Sequence, residues 1–292
     1  MIIVRLNGGL GNQMFQYAAG RERSLSLKVP LLLDLTAFKK YPSRSYRLGH
    51  FNIRAEIAQD EEVAQFWPEG VKGFAARARS LPDYLKPWYR RAVVREQHFQ
   101  YDPDFKKTGS GIYLLGVWQS EKFFKDIAPV IREDFTLAST PDERNTQMLH
   151  MIDNCESVSL HVRRGDYVSD KKTQAFHGTC SEDYYQTAIS NIGERIRDPH
   201  FFIFSDDPRW AETNLKIPFP STIVDINGPE KDYADLIMLS RCRHHIIANS
   251  SFSWWGAWLS TNPEKTVIAP RRWFAVSTMN TDDLIPQSWI RL

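Results

Sequence analysis

Apolar runs separated by amphipathic stretches organise the first part of this chain. Residues 2–6 are apolar at all but one position and predict a strand, and residues 31–35 predict a second strand. Between them, a polar turn leads into a helix that is predicted to begin near Asn12. Because a strand–helix–strand unit joins parallel neighbours, this opening predicts a parallel sheet.

The second half of the chain alternates in the same way and more regularly. Strands are predicted at residues 157–162, 201–205, 222–226, 245–248 and 266–269. The first four are followed by predicted helices near residues 181–196, 208–215, 232–242 and 252–260. This alternation is typical of a doubly wound parallel sheet.

Between these halves the pattern is less regular. A strand at residues 112–117 and a helix at residues 121–133 follow an irregular, proline-containing region. Thr140 and Pro141 then predict the start of a further helix, with Thr140 as its cap. We expect that helix to link two domains, residues 1–152 and 153–292, in an α/β chain.

The composition limits the classes to which this protein can belong. Of 292 residues, 42% are hydrophobic, so the chain can bury a large core. A net charge of +2 leaves no strong basic footprint, so we expect no nucleic-acid partner. Cys155, Cys180 and Cys242 are too few and too scattered for a disulfide framework or a zinc knuckle, and indicate reduced thiols.

The sequence predicts a soluble, cytoplasmic protein. The N-terminus enters a strand directly, without the basic leader and apolar region of a signal peptide. No apolar run approaches the roughly 20 residues of a membrane span. A basic stretch at residues 72–95 has two interpretations, a solvated helical face, which we favour, or a surface that touches an anionic membrane. The second would place the protein peripherally at the inner face of the membrane.

The most informative polar cluster lies where the strand at residues 157–162 ends. It contains His161, Arg163, Arg164 and Asp166, at the edge where α/β sheets bind ligands. Arginine binds phosphate through a planar fork of donors, so the cluster predicts a diphosphate site. The alternatives are solvated charge and, with less support, an exposed adhesion tripeptide. Asp166 is a candidate general base, but we favour a role in holding an arginine in place.

A glycine-rich turn precedes the first helix. Gly9 and Gly11 allow the backbone to approach a ligand closely, and the helix start favours negative or hydroxyl oxygens. Asn12 adds an uncharged amide that can bond a sugar hydroxyl. Met14 replaces the third glycine of a dinucleotide fingerprint, although Asp34 keeps that interpretation open. A tight turn without any ligand is the other alternative.

Serines cluster at a later helix start, after the strand at residues 245–248. Ser250, Ser251 and Ser253, with the backbone amides of that helix start, form a nest suited to phosphate oxygens. The alternative is that they only cap the helix, for which one serine is enough. Three tryptophans follow at helical spacing, and we assign at least two of them to the core: Trp254, Trp255 and Trp258.

The other aspartates do not support a metal site. Asp207 precedes a proline and is assigned as a helix cap. Asp102 and Asp104 have the spacing of metal-dependent sugar transferases, but no predicted strand delivers them, so we assign them to a turn. Asp225 is placed at a strand end, where its carboxylate can accept hydrogen bonds from N1 and N2 of guanine.

Taken together, these segments resemble the α-1,2-fucosyltransferases of glycosyltransferase family 11. The resemblance covers residues 8–18, 161–167, 204–207 and 249–259. It implies a GT-B-like α/β fold of two Rossmann-like domains facing a cleft, the first on the acceptor side and the second binding GDP-fucose. It also implies inverting transfer of L-fucose from GDP-β-L-fucose to the 2-hydroxyl of a terminal β-galactose. The glycan would belong to a membrane component such as lipopolysaccharide, and no metal or other cofactor is expected.

The resemblance further implies roles for individual residues. Arg163 is expected to bind the β-phosphate, and Asn12 to lie near the fucose and the acceptor hydroxyl. These two and Asp166 make up the expected catalytic set. His161 and Asp225 are expected to hold guanine or the ribose region. The other donor-binding residues lie at the two helix starts: Gly9, Gly11, Ser250, Ser251, Phe252 and Ser253.

Other functions stay open at this point. A protein O-fucosyltransferase would share the arginine and asparagine motifs, and acceptor screening separates it. A dinucleotide-dependent oxidoreductase would be protected by NADH instead of GDP. A non-catalytic sugar-binding protein would keep the tryptophans but would not bind GDP. The sequence makes no prediction of the oligomeric state.

Overall fold

The computed structural model describes residues 1–40, 44–66, 83, 85–276 and 278–292, with the side chains of Lys40 and Asp166 excepted. These residues form two compact units. The first comprises Met1–Ala138 with Asp282–Leu284, and the second comprises Ser139–Thr281 with Ile285–Leu292. The domain boundary predicted after residue 152 falls inside a helix of the second unit. Residues 72–82 and 84 of the basic stretch lie outside the described residues, so its contact with a membrane stays a prediction.

The first unit is built on a parallel sheet with strand order β3-β2-β1-β5-β4. Its strands are β1 (Ile2–Arg5), β2 (Leu31–Asp34), β3 (Glu56–Ile57), β4 (Val93–Arg95) and β5 (Ile112–Leu115). Among the described residues of this unit, the α-helices with given bounds are α1 (Leu10–Leu27), α2 (Thr36–Lys40), α3 (Asp60–Ala64) and α4 (Ala128–Asp134). The predicted strand–helix–strand opening is therefore confirmed, with parallel pairing of β1 and β2.

One helix prediction in the first unit is wrong in its extent. Residues 121–133 form two short 3₁₀ helices, Glu121–Phe123 and Lys125–Ile127, before α4 begins at Ala128. Pro129 lies in the first turn of α4. Proline fits a first turn but would clash with the carbonyl four residues earlier in a helix interior, so a continuous helix cannot form through this position.

The second unit contains a longer parallel sheet with strand order β11-β10-β9-β6-β7-β8. Its strands are β6 (Glu156–Val162), β7 (Pro199–Ser205), β8 (Ser221–Ile223), β9 (His244–Ile246), β10 (Val267–Ala269) and β11 (Ile290–Arg291). Its helices are α5 (Glu143–Asp153), α6 (Gly165–Ser169), α7 (Lys171–His177), α8 (Glu182–Arg195), α9 (Pro208–Asn214), α10 (Asp232–Arg241) and α11 (Ser251–Leu259). The predicted doubly wound sheet is confirmed.

Two local expectations need correction in the second unit. The cap of α5 is Asp142 rather than Thr140, because the Asp142 carboxylate accepts the backbone N–H of Asn145 at 3.0 Å. Strand β8 ends at Ile223, so Asp225 does not end a strand but lies beyond it and is exposed.

Alternating side chains of β6 separate the two faces of the second sheet. Val158, Leu160 and Val162 pack with α8 in one cluster of buried residues. On the opposite face, Phe202 and Phe204 of β7 pack with the α10 helix. Both faces are therefore covered, as an all-parallel sheet requires. Within the described parts of the chain, no helix has the length and apolar character needed to cross a membrane.

The strand orders locate the edges where ligands can bind. In the first sheet, the direction in which successive strands are added reverses between β1 and β5. In the second sheet, it reverses between β6 and β9. At such a reversal, the helices that follow the two strands lie on opposite faces, which leaves a crevice at the carboxyl ends. The glycine-rich turn follows β1, and the arginine cluster follows β6.

Candidate active site

Arg163 extends the carboxyl end of β6 and pairs with a carboxylate from the neighbouring strand. Its Nη1 lies 2.9 Å from Oδ2 of Asp206, and its guanidinium lies 5.4 Å from the ring centre of Tyr167. The parallel register places Val162 beside Ser205, so Asp206 follows β7 next to Arg163. The Arg163 side chain is 26% exposed. The arrangement orients a positive charge that a ligand can still reach.

Gly165 allows Asp206 to take this position. The backbone N–H of Arg164 donates to Asp206 Oδ1 at 2.7 Å. A Cβ atom at Gly165 would lie 2.5 Å from Asp206 Oδ2, so a larger residue would displace the carboxylate. The sequence predicts that Asp166 holds an arginine in place, and Asp206 is a carboxylate that the structure shows in contact with Arg163. Asp166 belongs to α6, but its side chain is outside the described residues and its role stays a prediction.

Arg164 has a different environment from Arg163. Its guanidinium lies over the indole of Trp210, 4.2 Å from the ring centre, and its Nε is 3.7 Å from Asp207 Oδ2. Asp207 accepts the backbone N–H of Trp210 at 3.1 Å and so caps α9, which confirms the predicted capping role. Arg164 thus packs against the start of α9, and Arg163 is the better candidate for ligand binding.

His161 is buried, neutral and packed against the start of α11. Only 5% of the residue is exposed, and its ring centre lies 5.4 Å from that of Phe252. Burial lowers the pKa of His161 to about 3, and the positive charge of Arg163 adds to this effect. Its Nδ1 is buried and has no hydrogen-bond partner among the described residues. His161 therefore brings no positive charge to a phosphate.

The start of α11 is fixed by the residue before the serines. The Asn249 side-chain amide donates to the carbonyl oxygens of His177 at 3.0 Å and Trp273 at 3.1 Å. Ser250 precedes α11, and its side chain makes no capping hydrogen bond. Ser253 is buried and donates from Oγ to the Ser250 carbonyl oxygen at 3.3 Å. The core assignment of the three tryptophans is confirmed, because all are buried: Trp254, Trp255 and Trp258.

Two contacts join the end of β6 to the start of α11. Tyr167 donates from its hydroxyl to the Asn249 carbonyl oxygen at 3.3 Å, and His161 packs on Phe252 as described. The structure thus brings together second-unit residues that are predicted to bind the donor: His161, Arg163, Ser250, Ser251, Phe252 and Ser253. Asp225 follows β8, which pairs with β7 and not with β6, and its neighbours Val224 and Ile226 pack in the same cluster as Phe252.

A cavity of about 640 Å³ adjoins the cluster and was not predicted. Its lining includes Asn249, the start of α8 and the segment after β10: Asp183, Arg271, Arg272 and Phe274. His177 also lines it and stacks on Tyr167, with ring centres 4.7 Å apart. Arg271 and Arg272 closely follow the strand predicted at residues 266–269, and this pair of charges in the sequence could have indicated the cavity.

In the first unit, the glycine-rich turn presents Asn12 at the β1/β5 reversal. Gly8 has φ of +76°, which favours glycine, and Gly9 precedes the first residue of α1. Gln119 follows β5 in the chain, and its side chain donates from Nε2 to Asn12 Oδ1 at 2.9 Å. We did not predict a role for Gln119 from the sequence. The hydrogen bond between Asn12 and Gln119 therefore links the segments that follow β1 and β5.

Asp34 is occupied within the fold. Its carboxylate accepts the Thr36 backbone N–H at 2.8 Å and the Thr36 hydroxyl at 3.1 Å. The Tyr113 hydroxyl also donates to it. A dinucleotide site would need this carboxylate for the ribose, so these contacts weigh against the oxidoreductase interpretation.

The aspartates with metal-like spacing have structural roles. Asp102 accepts the backbone N–H of Asp104 at 2.9 Å and caps a 3₁₀ helix, Pro103–Lys107. Asp104 pairs with Lys107 at 2.7 Å. Across the part of the chain that the structure describes, no group of three or more histidine, cysteine or acidic side chains could hold a metal ion.

Sequence comparisons identify the family of this chain. The sequence profile of Glycosyl transferase family 11 matches residues 79–292. An alpha-1,2-colitosyltransferase of Escherichia coli is 33% identical, covering 100% of this chain and 99% of that protein. The O-antigen biosynthesis glycosyltransferase WbnK of Escherichia coli is 31% identical over 98% of this chain and 99% of its own. Galactoside 2-alpha-L-fucosyltransferase SEC1 of Bos taurus is 28% identical, covering 88% of this chain and 64% of that protein.

Solved structures show the fold. Fucosyltransferase NodZ from Bradyrhizobium superposes with a TM-score of 0.52 at 14% identity, covering 87% of this chain and 91% of that one. A mutant of Arabidopsis thaliana FUT1 in complex with GDP gives a TM-score of 0.54 at 12% identity, covering 91% and 69%. The fold is GT-B-like, with a Rossmann-like sheet in each unit, as predicted. The chain belongs to glycosyltransferase family 11.

Proposed function

We propose that this protein transfers L-fucose from GDP-β-L-fucose to the 2-hydroxyl of a terminal β-galactose in a glycan, with inversion at the fucose C1. The observation that carries the proposal is the Arg163 guanidinium, oriented by Asp206 at the β6/β9 reversal beside the start of α11. The α-1,2-transferases among the relatives support the linkage.

In this reaction the acceptor oxygen forms a bond to C1 while the bond from C1 to the β-phosphate oxygen breaks. The electron pair of the broken bond stays on GDP, so negative charge grows on the β-phosphate in the transition state. A guanidinium fixed in advance stabilises that charge more than the charge of the bound donor, which lowers the barrier. The ion pair with Asp206 fixes Arg163 before the donor arrives.

The start of α11 supplies the rest of the proposed diphosphate site. Backbone N–H groups of a helix start and serine hydroxyls are donors to phosphate oxygens. Ser250 and Ser251 stand at this start, and His161 packs beneath it as a neutral ring. A neutral imidazole leaves the position of the guanidinium undisturbed by a second cation.

The 2-hydroxyl of galactose loses its proton as it attacks, and water can accept that proton because the hydroxyl becomes acidic late in an oxocarbenium-like transition state. We assign the acceptor side to the first unit, where Asn12 and Gln119 present amide groups that can bond sugar hydroxyls. Asp225 and the 640 Å³ cavity remain candidates for the guanosine and for the distal part of a substrate. The reaction needs no metal in this scheme, and transfer at full rate in EDTA is the expected result.

The E. coli relative favours a second candidate donor. Colitose is L-fucose without its 3-hydroxyl, and a protein named alpha-1,2-colitosyltransferase is 33% identical along its whole length. Transfer of colitose from its GDP derivative would use the same arginine, serines and acceptor hydroxyl. The two donors differ in one hydroxyl group, so direct competition distinguishes them.

The test is incubation with lactose and either GDP-fucose or GDP-colitose, followed by NMR assignment of the new linkage. An α-1,2 linkage formed with GDP-fucose supports the proposal, and faster transfer of colitose assigns the second candidate. Arg163→Ala serves as the inactive control. Products with another linkage, or no transfer to any β-galactoside, would overturn the proposed function.

A further inference from the structure

The loop after β5 carries an unusual backbone conformation. Trp118 has φ of +55°, in the left-handed region that residues other than glycine rarely adopt. Its indole is only 1% exposed and packs 5.0 Å from the ring of Phe105 and 5.3 Å from that of Phe123. Strain of this kind persists only where surrounding contacts impose it, and it is concentrated at functional sites.

Glu96, directly after β4, imposes this conformation. Its two carboxylate oxygens accept the backbone N–H groups of Val117 at 2.7 Å and Trp118 at 3.1 Å. The loop approaches so closely that a Cβ atom at Gly116 would lie 2.6 Å from the Glu96 Cβ. From the α1 side, Gln16 donates to the Gly116 carbonyl oxygen at 3.2 Å. The backbone of residues 116–118 is therefore restrained by side chains from two other elements.

The restrained loop delivers Gln119 to Asn12. Gln119 is 7% exposed, and its Nε2 donates to Asn12 Oδ1 at 2.9 Å. This donation decides which way the Asn12 amide is turned, with Oδ1 toward Gln119 and Nδ2 toward Gly8. A Cβ atom at Gly8 would lie 2.7 Å from that Nδ2, which leaves room only for glycine. The contacts thus run without a break from Glu96 to the predicted catalytic amide.

We propose that Glu96 is a positioning residue of the transferase, which holds the loop of residues 116–119 so that Gln119 fixes the orientation of the Asn12 amide toward the acceptor sugar. The inference rests on the proposed function. Glu96 is not assigned as the general base, because both of its oxygens already accept backbone N–H groups. Its effect on the reaction passes through Gln119.

Two isosteric variants test the proposal. In Glu96→Gln, the amide nitrogen cannot accept a backbone N–H, so one restraint on the loop is lost. In Gln119→Glu, an ionised carboxylate cannot donate to Asn12 Oδ1 and can only accept from Nδ2, so the Asn12 amide loses the donor that sets its present orientation. Glu61→Gln, which alters an exposed carboxylate of the same unit, is the matched control.

Steady-state kinetics with lactose and GDP-fucose should separate positioning from donor binding. We expect kcat/KM for lactose to fall about tenfold in Glu96→Gln and in Gln119→Glu, with the Kd for GDP changed by less than about twofold. If Glu96 acts through Gln119, the double variant should be no slower than the slower single variant. A parallel loss of GDP affinity, or losses that multiply in the double variant, would overturn the proposal.

A structural measurement keeps the inference testable even without turnover. The side-chain amide NMR signals of Asn12 and Gln119 should shift in Glu96→Gln, and backbone amides 117 and 118 should exchange faster with solvent. Unchanged signals and exchange contradict the positioning role whatever the enzyme transfers. Shifted signals in a protein that does not use GDP-fucose would instead retain the positioning and reject the proposed function.

Discussion

At position 163 the proposed chemistry requires a planar guanidinium. Its pairing with Asp206 at 2.9 Å uses one edge of the group in a fixed direction. A lysine ammonium carries the same charge but has no fork of donors and no preferred plane. We expect Arg163→Ala to lower kcat by an amount that corresponds to roughly 3–4 kcal/mol, as for loss of one preorganised donor. Arg163→Lys should recover only a small part of this loss in single-turnover assays, and near-normal turnover would show that geometry is unimportant here.

Gly165 offers a test of the same ion pair from the backbone side. In Gly165→Ala the new Cβ would lie 2.5 Å from Asp206 Oδ2, so the carboxylate must leave the position in which it contacts Arg163. We expect kcat/KM for GDP-fucose to fall about tenfold or more. Gly109→Ala is the control, since no atom lies within 4 Å of its Cβ position. Equal activities of the two variants would show that Asp206 does not orient Arg163.

At the scale of elements, local patterns predict well and long-range contacts do not. Asp207 was assignable as a cap because its partner, the Trp210 N–H, is three residues away. Asp142 replaces Thr140 as a cap by the same local rule, so that error was one of choosing between neighbours. The roles of Asp206 and Glu96 depend instead on partners brought close by parallel strand pairing. A single sequence gives the register of strand pairing only indirectly, because the register follows from which face of each strand is buried.

The β4–β5 edge gives a prediction about pH. Burial raises the pKa of Glu96 to about 7, against the hydrogen bonds from Val117 and Trp118, which lower it. Protonation below this pH turns one carboxylate oxygen into a hydroxyl that no longer accepts an N–H, so the loop restraint weakens. We expect kcat/KM for lactose to fall as the pH decreases through about 7, and this limb to be absent in Glu96→Gln. His98 and Asp102 line the same small cavity as Glu96. If the decrease in activity at low pH persisted in Glu96→Gln, a group other than Glu96 would cause it.

Titration of Glu96 should affect the free energy of unfolding in the opposite direction to activity: protonation lowers activity but stabilises the fold. Because the pKa of Glu96 in the folded protein lies above its usual value of 4.5, the folded state binds the proton more tightly than the unfolded chain. Its contribution to the free energy of unfolding is therefore greatest below pH 4.5 and decreases as the pH rises toward 7. The difference between wild type and Glu96→Gln in urea titrations isolates this contribution from that of other groups.

At the scale of the whole molecule, the proposed function assigns nucleotide chemistry to one unit and acceptor chemistry to the other. Arg163 and the α11 serines belong to the second unit, and Asn12 with Gln119 belongs to the first. Ligand binding stabilises a folded protein by about 2.7 kcal/mol when the ligand is at a hundredfold excess over its Kd. GDP should therefore raise the Tm of wild type and of Asn12→Ala equally, although Asn12→Ala should lose transfer. Arg163→Ala should lose most of both. If Asn12→Ala abolished the shift with GDP, the first unit would have to contact the nucleotide, and the division of roles argued from the two strand-order reversals would be wrong.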